Sequence, residues 1–229
     1  AGAPETLSVR EAFPKLHALE QRYGSLLIGQ VLGARERKRK GGVSKQNAAK
    51  FSFDQGLGTL TDALGQRLKE QIRTDQAISE ITRQNDSWSL GQAGEYSGVL
   101  LALPAFRMAE LQLTYESEPV SLAMLGDIHY APVASVVLGF HWQDVEHSLD
   151  GFGALNPEVE QLHSLGTIFS SSLFPGRAPL GQVLLTSYVG GLRAPDLVSK
   201  TPDELCELVM ADLKTVLGVN GEPTYRHVF

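Results

Sequence analysis

Residues 151–193 read GFGALNPEVEQLHSLGTIFSSSLFPGRAPLGQVLLTSYVGGLR. They form three short apolar runs parted by a short turn and a Gly/Pro turn, and they end on a glycine pair. Apolar runs of this length between turn residues predict consecutive strands. The β-branched stretch 132–140 just upstream adds another, so 132–190 is expected to build a largely antiparallel sheet with strands at 132–140, 165–171 and 182–190. Such a segment supplies walls. It offers little from which to assemble an acid–base or nucleophilic centre.

The rest of the chain predicts helices and a second sheet. Ser8 and Glu11 form a capping box that starts a short helix halted near Pro14. Leu16, Leu19, Tyr23, Leu27 and Val31 recur at helical spacing, with interruptions expected at Gly24 and Gly29. A basic, glycine-ended loop follows at 35–42. Residues 51–53 read as a short strand, and 54–58 as a turn opening a helix through Leu60, Leu64 and Leu68. A hairpin is expected around Asn85-Asp86, between 77–83 and 87–90. The apolar run 96–103, stopped by Pro104, predicts a strand buried on both faces in a parallel or mixed sheet covered by helices. Thr201-Pro202-Asp203-Glu204 is a strong helix start, with Leu205, Leu208, Val209, Leu213, Val216 and Leu217 as the apolar stripe and Gly218 as the stop.

Composition removes several classes of function. A net charge of −6 without a basic domain face excludes nucleic acid as an expected partner. The single cysteine, Cys206, rules out a disulfide framework and suits a reducing, cytoplasmic or organelle-like compartment; its place in a helix makes it a core residue. No apolar run approaches the ~20 residues that span a bilayer, and no signal or transit pattern opens the chain. The basic run at 35–42 reads as a solvated connector or as an aid to peripheral contact with anionic headgroups, worth roughly 1 kcal/mol per cation near such a surface. A homodimer is the other assembly left open. The six histidines are scattered without metal-ligand spacing. Ser170-Ser171-Ser172 lacks a nucleophile elbow, and there is neither a P-loop nor a G-x-G-x-x-G after a strand.

Gly151-Phe152-Gly153, Leu165-Gly166-Thr167, Phe174-Pro175-Gly176-Arg177-Ala178-Pro179 and Val189-Gly190-Gly191, in that order, resemble the pattern of the protoporphyrinogen oxidase family. These are FAD-dependent, amine oxidase-like flavoenzymes of haem and chlorophyll synthesis. The likeness runs through essentially the whole chain, is strongest over 130–193, and is nearest to plastid-type members. It implies an α+β or α/β fragment of a two-domain FAD oxidase, with a helical segment at 1–50, a middle strip of the FAD domain at 51–115, and a mixed, mainly antiparallel substrate-binding sheet with flanking helices at 116–229. An opening without methionine and a final strand that simply stops fit an internal piece, inactive alone. The family's glycine-rich fingerprint, its cover for the flavin's far side and its propionate-binding arginine would lie outside it.

By the same resemblance Ile78, in the stretch 77–81, meets the adenine end of FAD through its main chain, and 101–104 ends a strand beside the cofactor. Leu155 and Ile168 lie against a tetrapyrrole substrate, Tyr188 stacks on it, Gly190-Gly191 let backbone approach it, and Arg193 is a candidate cation near it. Arg177 reads as a turn residue. No catalytic side chain and no metal ligand is implied, because the oxidation belongs to the cofactor, reoxidised by dioxygen or another acceptor. Without the resemblance Leu155 and Ile168 read as ordinary core. Three alternatives stand beside protoporphyrinogen. One is coproporphyrinogen, whose extra carboxylates would call for extra cations that this segment does not show. The others are an amine or carotenoid oxidation on the same fold, and a non-catalytic pocket for a tetrapyrrole or lipid.

Overall fold

In the computed structural model, residues 7–39 and 51–229 are described. The opening residues and the end of the basic run, from Lys40 onward, lie outside them. The chain divides into two compact units, 1–56 with 131–229, and 57–130.

In the first unit, α1 (Val9–Ala12) is capped by Ser8, whose Oγ accepts from the Glu11 amide at 3.4 Å. Pro14 halts α1 and takes the first position of α2 (Pro14–Tyr23), which ends at Gly24. Gly29 does not interrupt the next helix, α3 (Leu26–Arg39). A Cβ there would lie 3.0 Å from the Leu19 Cβ, so glycine permits close packing of α3 on α2. Residues 35–39, expected as loop, complete α3; arginine and lysine are good helix formers. The strand expected at 51–53 is absent. Arg177 donates instead to Ser52 Oγ at 2.8 Å and to the Phe53 carbonyl at 3.1 Å, so a side chain occupies a group that a ladder would have used.

The same unit holds a five-stranded antiparallel sheet. Its strands are β6 (Val133–His141), β7 (Gly153–Leu155), β8 (Ser164–Ile168), β9 (Gln182–Gly190) and β10 (Tyr225–Val228), in the order β10-β6-β9-β8-β7. β8 stops at Ile168 rather than 171, because Ser170–Leu173 turns into the short helix α6. The serine run thereby finds a structural use. Ser171 Oγ accepts the Leu184 amide at 3.0 Å, and Ser170 Oγ pairs with Thr186 Oγ1 at 2.8 Å, satisfying β9 beyond the end of β8. Along β6 and β9 burial alternates. Val136, Leu138, Phe140, Val183, Leu185 and Val189 are buried, and α7 (Pro202–Leu217) packs on that face with Leu205, Cys206, Val209, Leu213 and Leu217. The capping box at Thr201 and Glu204 and the Gly218 stop form as expected. Val216 falls outside the buried stripe, and Asp212 falls inside it.

The second unit is built on α4 (Gly58–Arg67), β1 (Glu80–Gln84), β2 (Ser87–Ser89), β3 (Glu95–Tyr96), α5 (Ala105–Met108), β4 (Gln112–Tyr115) and β5 (Glu118–Val120). Its sheet is mixed, ordered β3-β2-β1-β4-β5, with β1 parallel to β4 and the other pairs antiparallel. Asn85, with φ 53°, turns the expected hairpin. Two expectations fail. Residues 77–79 precede the strand rather than belonging to it, and the run 96–103 pairs only at its first residue. Leu100 is 92% exposed. A strand exists only with a hydrogen-bonded neighbour, and none among the described residues lies beside 98–103.

Candidate functional site

Residues 133, 135 and 137 of β6 face away from α7, as do 184, 186 and 188 of β9, and all are exposed or half-buried. This second face is partly apolar, with Val133, Val137, Leu184 and Tyr188 beside Ser135 and Thr186. At its β7–β8 end it forms a depression of about 590 Å³ whose walls include Val133, Leu155, Leu165, Ile168 and Tyr188. Leu155 is 90% exposed and stands up from the short edge strand β7. A helix covers only one face of this sheet, so the apolar side chains around the depression remain open among the described residues.

The register fixes how these side chains meet. β8 carries a bulge: Ser164 is opposite Val189 and Gly166 is opposite Tyr188, so Leu165 is the extra residue. Ser164 and Val189 lie on the core side, whereas Leu165 turns to the depression. Tyr188 is opposite Gly166 on β8 and opposite the small Ser135 on β6, so no large cross-strand side chain crowds its ring. Alanine at position 166 would put a Cβ 2.6 Å from the Ala154 carbonyl oxygen and push β7 away. The Tyr188 hydroxyl makes no hydrogen bond to a described residue, leaving the ring's apolar area as its contribution to the wall.

Of the residues singled out in the sequence, Leu155, Ile168 and Tyr188 come together here. Gly190 and Gly191 are buried beside the depression, outside its lining. Gly190 has φ 103°, and a Cβ would stand 2.6 Å from the Pro132 carbonyl oxygen and 2.8 Å from Val198 Cγ1. The close approach served by this glycine is thus to the chain itself. Arg193 is exposed, and its Nη1 donates to the Asn156 carbonyl at 3.0 Å, which stations the guanidinium at the end of β7 next to Leu155. Ile78 belongs to the second unit. There it lines a separate depression of about 460 Å³ with Ile81, Leu90, Leu111 and residues 99–103, so the stretch expected at the adenine end lies beside the one expected to end a strand next to the cofactor. The Ile78 amide and carbonyl make no hydrogen bond among the described residues, and a free main-chain donor–acceptor pair beside an apolar wall suits an adenine edge.

Sequence reasoning missed a buried polar chain behind the depression. Asp212, 2% exposed, accepts the Ser164 amide at 2.6 Å and the Ser164 hydroxyl at 2.7 Å on Oδ2. His163 lies against Oδ1, with its amide at 3.3 Å and Nδ1 at 3.1 Å. Asn156 Nδ2 donates to Ser164 Oγ at 2.8 Å and to the Ser164 carbonyl at 3.1 Å. The available signal was a carboxylate inside an apolar helix stripe, where burial demands partners. Serine, histidine and aspartate here do not make a nucleophilic relay, because the serine bonds the carboxylate and not the imidazole. Among the described residues no cluster of acidic, histidine or cysteine side chains could hold a metal. Burial raises the Cys206 thiol above its ordinary value, in keeping with a core residue.

Comparison with known proteins accords with this geometry. Residues 1–228 match the family model described as flavin containing amine oxidoreductase. A mitochondrial protoporphyrinogen oxidase of Nicotiana tabacum is 34% identical over 98% of this chain and 50% of its own length. A chloroplastic one of Spinacia oleracea is 32% identical over 95% and 42%, and a coproporphyrinogen III oxidase of Bacillus subtilis is 26% identical over 97% and 48%. The chain thus spans about half the length of the curated relatives it matches. A crystal structure from Exiguobacterium, provisionally named a protoporphyrinogen oxidase, superposes over the whole chain and 48% of its own with a TM-score of 0.75 at 22% identity. Cyclohexylamine oxidase of Brevibacterium oxydans superposes over 76% of this chain and 38% of its own, with a TM-score of 0.56 at 14% identity; both likenesses carry fold alone. Two five-stranded sheets with flanking helices are therefore part of an amine oxidase-like FAD enzyme fold, and the chain belongs to the flavin-containing amine oxidoreductase family, with its sequence similarity running to the protoporphyrinogen oxidases.

Proposed function

We propose that this chain is the central portion of an FAD-dependent protoporphyrinogen oxidase, forming protoporphyrin IX with dioxygen as the electron acceptor. The observation that carries the reading is the open face of the large sheet, with Leu155, Leu165, Ile168 and Tyr188 around one depression and no acidic, basic or histidine side chain in its lining. A porphyrinogen is a broad apolar disc with carboxylates at its edge. Tyr188 supplies a flat stacking surface, Leu155 and Ile168 clamp the disc and exclude water, and Arg193, held by one of its nitrogens, keeps others for a carboxylate. FAD, when bound, supplies the redox chemistry by accepting the hydrogens. This chain offers its adenine end the Ile78 main chain and the apolar wall at 99–103.

Coproporphyrinogen, with more carboxylates, would ask for more cations than Arg193 near the depression. Relatives named as mitochondrial and chloroplastic favour an organelle-like compartment. Among the described residues no helix is long and apolar enough to cross a membrane. The exposed Leu27, Ile28 and Val31 of α3, continued by Arg35 and Arg39, favour peripheral contact with an anionic surface.

The test is a chimera in which this chain replaces the matching half of the tobacco relative. It is expected to retain FAD and to convert protoporphyrinogen IX to protoporphyrin IX aerobically, followed by porphyrin fluorescence. A folded, flavin-loaded chimera that oxidises only coproporphyrinogen III would move the assignment to that substrate. One that binds porphyrin and oxidises neither would leave a binding module.

A further inference from the structure

Asp212 lies on the α7 side of the sheet, opposite the depression, yet its contacts converge on the segment that shapes it. Three donors from two consecutive residues, the His163 amide and the Ser164 amide and hydroxyl, face its two oxygens, and His163 Nδ1 lies beside Oδ1. Ser164 is the last residue before the extra residue of the bulge. An unpaired amide is the usual cost of a bulge, and here a buried carboxylate from another element receives the Ser164 N–H.

We propose that Asp212 is a positioning residue for the apolar site. It holds Ser164 toward the core, so the next residue, Leu165, stays turned onto the opposite face as part of the wall. Asn156 extends the same fastening from Ser164 to the strand end beyond Leu155, and Arg193 binds the Asn156 carbonyl. One buried group thereby sets Leu165, Leu155 and the guanidinium in a common frame. The inference rests on the depression being the tetrapyrrole site.

The experiment uses the flavin-loaded chimera described above as parent, with three variants made within it. Asp212→Asn keeps size but replaces one acceptor oxygen with a donor, so either the Ser164 or the His163 contacts must break. Ser164→Ala removes the hydroxyl and keeps the amide contact. Val209→Ala, fully buried on the same helix, lowers stability through a cavity without touching the bulge. Protoporphyrin IX is titrated by fluorescence, thermal melting is recorded, and amide exchange is followed at 164–165 and at 183–185. Asp212→Asn should weaken protoporphyrin binding about fivefold or more, on the scale of one lost hydrogen bond to a charged group, and Ser164→Ala less. Val209→Ala should stay within about twofold of the parent even with a larger fall in Tm. Exchange should quicken at 164–165 in Asp212→Asn and not at 183–185.

Affinity that tracks Tm across the variants, or that Asp212→Asn leaves unchanged, overturns the positioning role. If Asp212→Asn does not fold, unchanged affinity in folded Ser164→Ala does so. If the folded, flavin-loaded parent chimera fails to bind protoporphyrin IX, the tetrapyrrole reading falls, and the exchange experiment judges the bulge separately: unchanged exchange at 164–165 overturns the coupling, and faster exchange confined there sustains it.

Discussion

Replacement of Tyr188 separates a stacking wall from a hydrogen-bonding one. The ring sits opposite Gly166 on one side and Ser135 on the other, neither large enough to fill the space left by Tyr188→Ala, so the depression would widen by roughly the ring. A well-oriented aromatic contact contributes about 0.5–1.5 kcal/mol beyond its area burial, a factor of about two to twelve in affinity. Loss of the buried ring area adds to this, so a loss of about tenfold is expected for protoporphyrin IX. The hydroxyl has no partner among the described residues, so Tyr188→Phe should bind within about twofold of the parent. Fluorescence titration of the two variants, after melting curves establish that both fold, measures the difference. Equal damage from Phe and Ala would mean that the phenol bonds the ligand and the stacking argument is wrong. No effect from either would remove Tyr188 from the site.

The chain alone should not retain FAD, because it holds no glycine-rich helix start for the pyrophosphate; stoichiometric flavin absorbance after gel filtration would show the proposed cofactor site to be misplaced. The apolar, unpaired run at 98–103 should bind a hydrophobic dye, and Leu100→Lys should reduce that signal; a parent chain that binds none would mean the segment is covered in solution. The amide and hydroxyl of Thr201 hold the Glu204 carboxyl below its usual range. Its contribution is then present above the unfolded-state pKa and lost as pH falls through the lowered native one. The Tm advantage of the parent over Glu204→Gln should therefore be full at neutral pH and shrink on acidification, and a pH-independent difference would refute the linkage. Cys206 should alkylate slowly in the native state and readily in denaturant; rapid native labelling would show that α7 opens.

What the sequence disclosed follows the range of the interactions involved. α7 was legible almost to the residue because its cap, first-turn proline and terminal glycine act within one turn of the chain, and the Asn85-Asp86 hairpin was legible for the same reason. The run at 96–103 was misjudged because apolar, β-prone composition describes only a capacity to pair. The basic stretch at 35–39 reads as loop from its charge and the glycine pair at 41–42, although its residues favour helix and continue α3. Asp212 could have been seen: on a stripe running through Leu205, Val209 and Leu213, position 212 falls on the buried side, and a carboxylate there announces a partner without naming it.

The candidate site was the least accessible to periodicity, for a reason specific to this sheet. Alternation along 133–140 and 182–190 yields two apolar faces, and nothing local says which of them a helix will cover. Val136 and Val137 are equally apolar, but one lies under α7 and the other does not. Leu155 and Ile168 thus look like core until α7 is seen to occupy the opposite side. The asymmetry is tertiary, and it turns an ordinary hydrophobic pattern into a surface able to receive a ligand. Asp212 adds to it, since a helix that buries one face of the sheet also reaches through the bulge to shape the other.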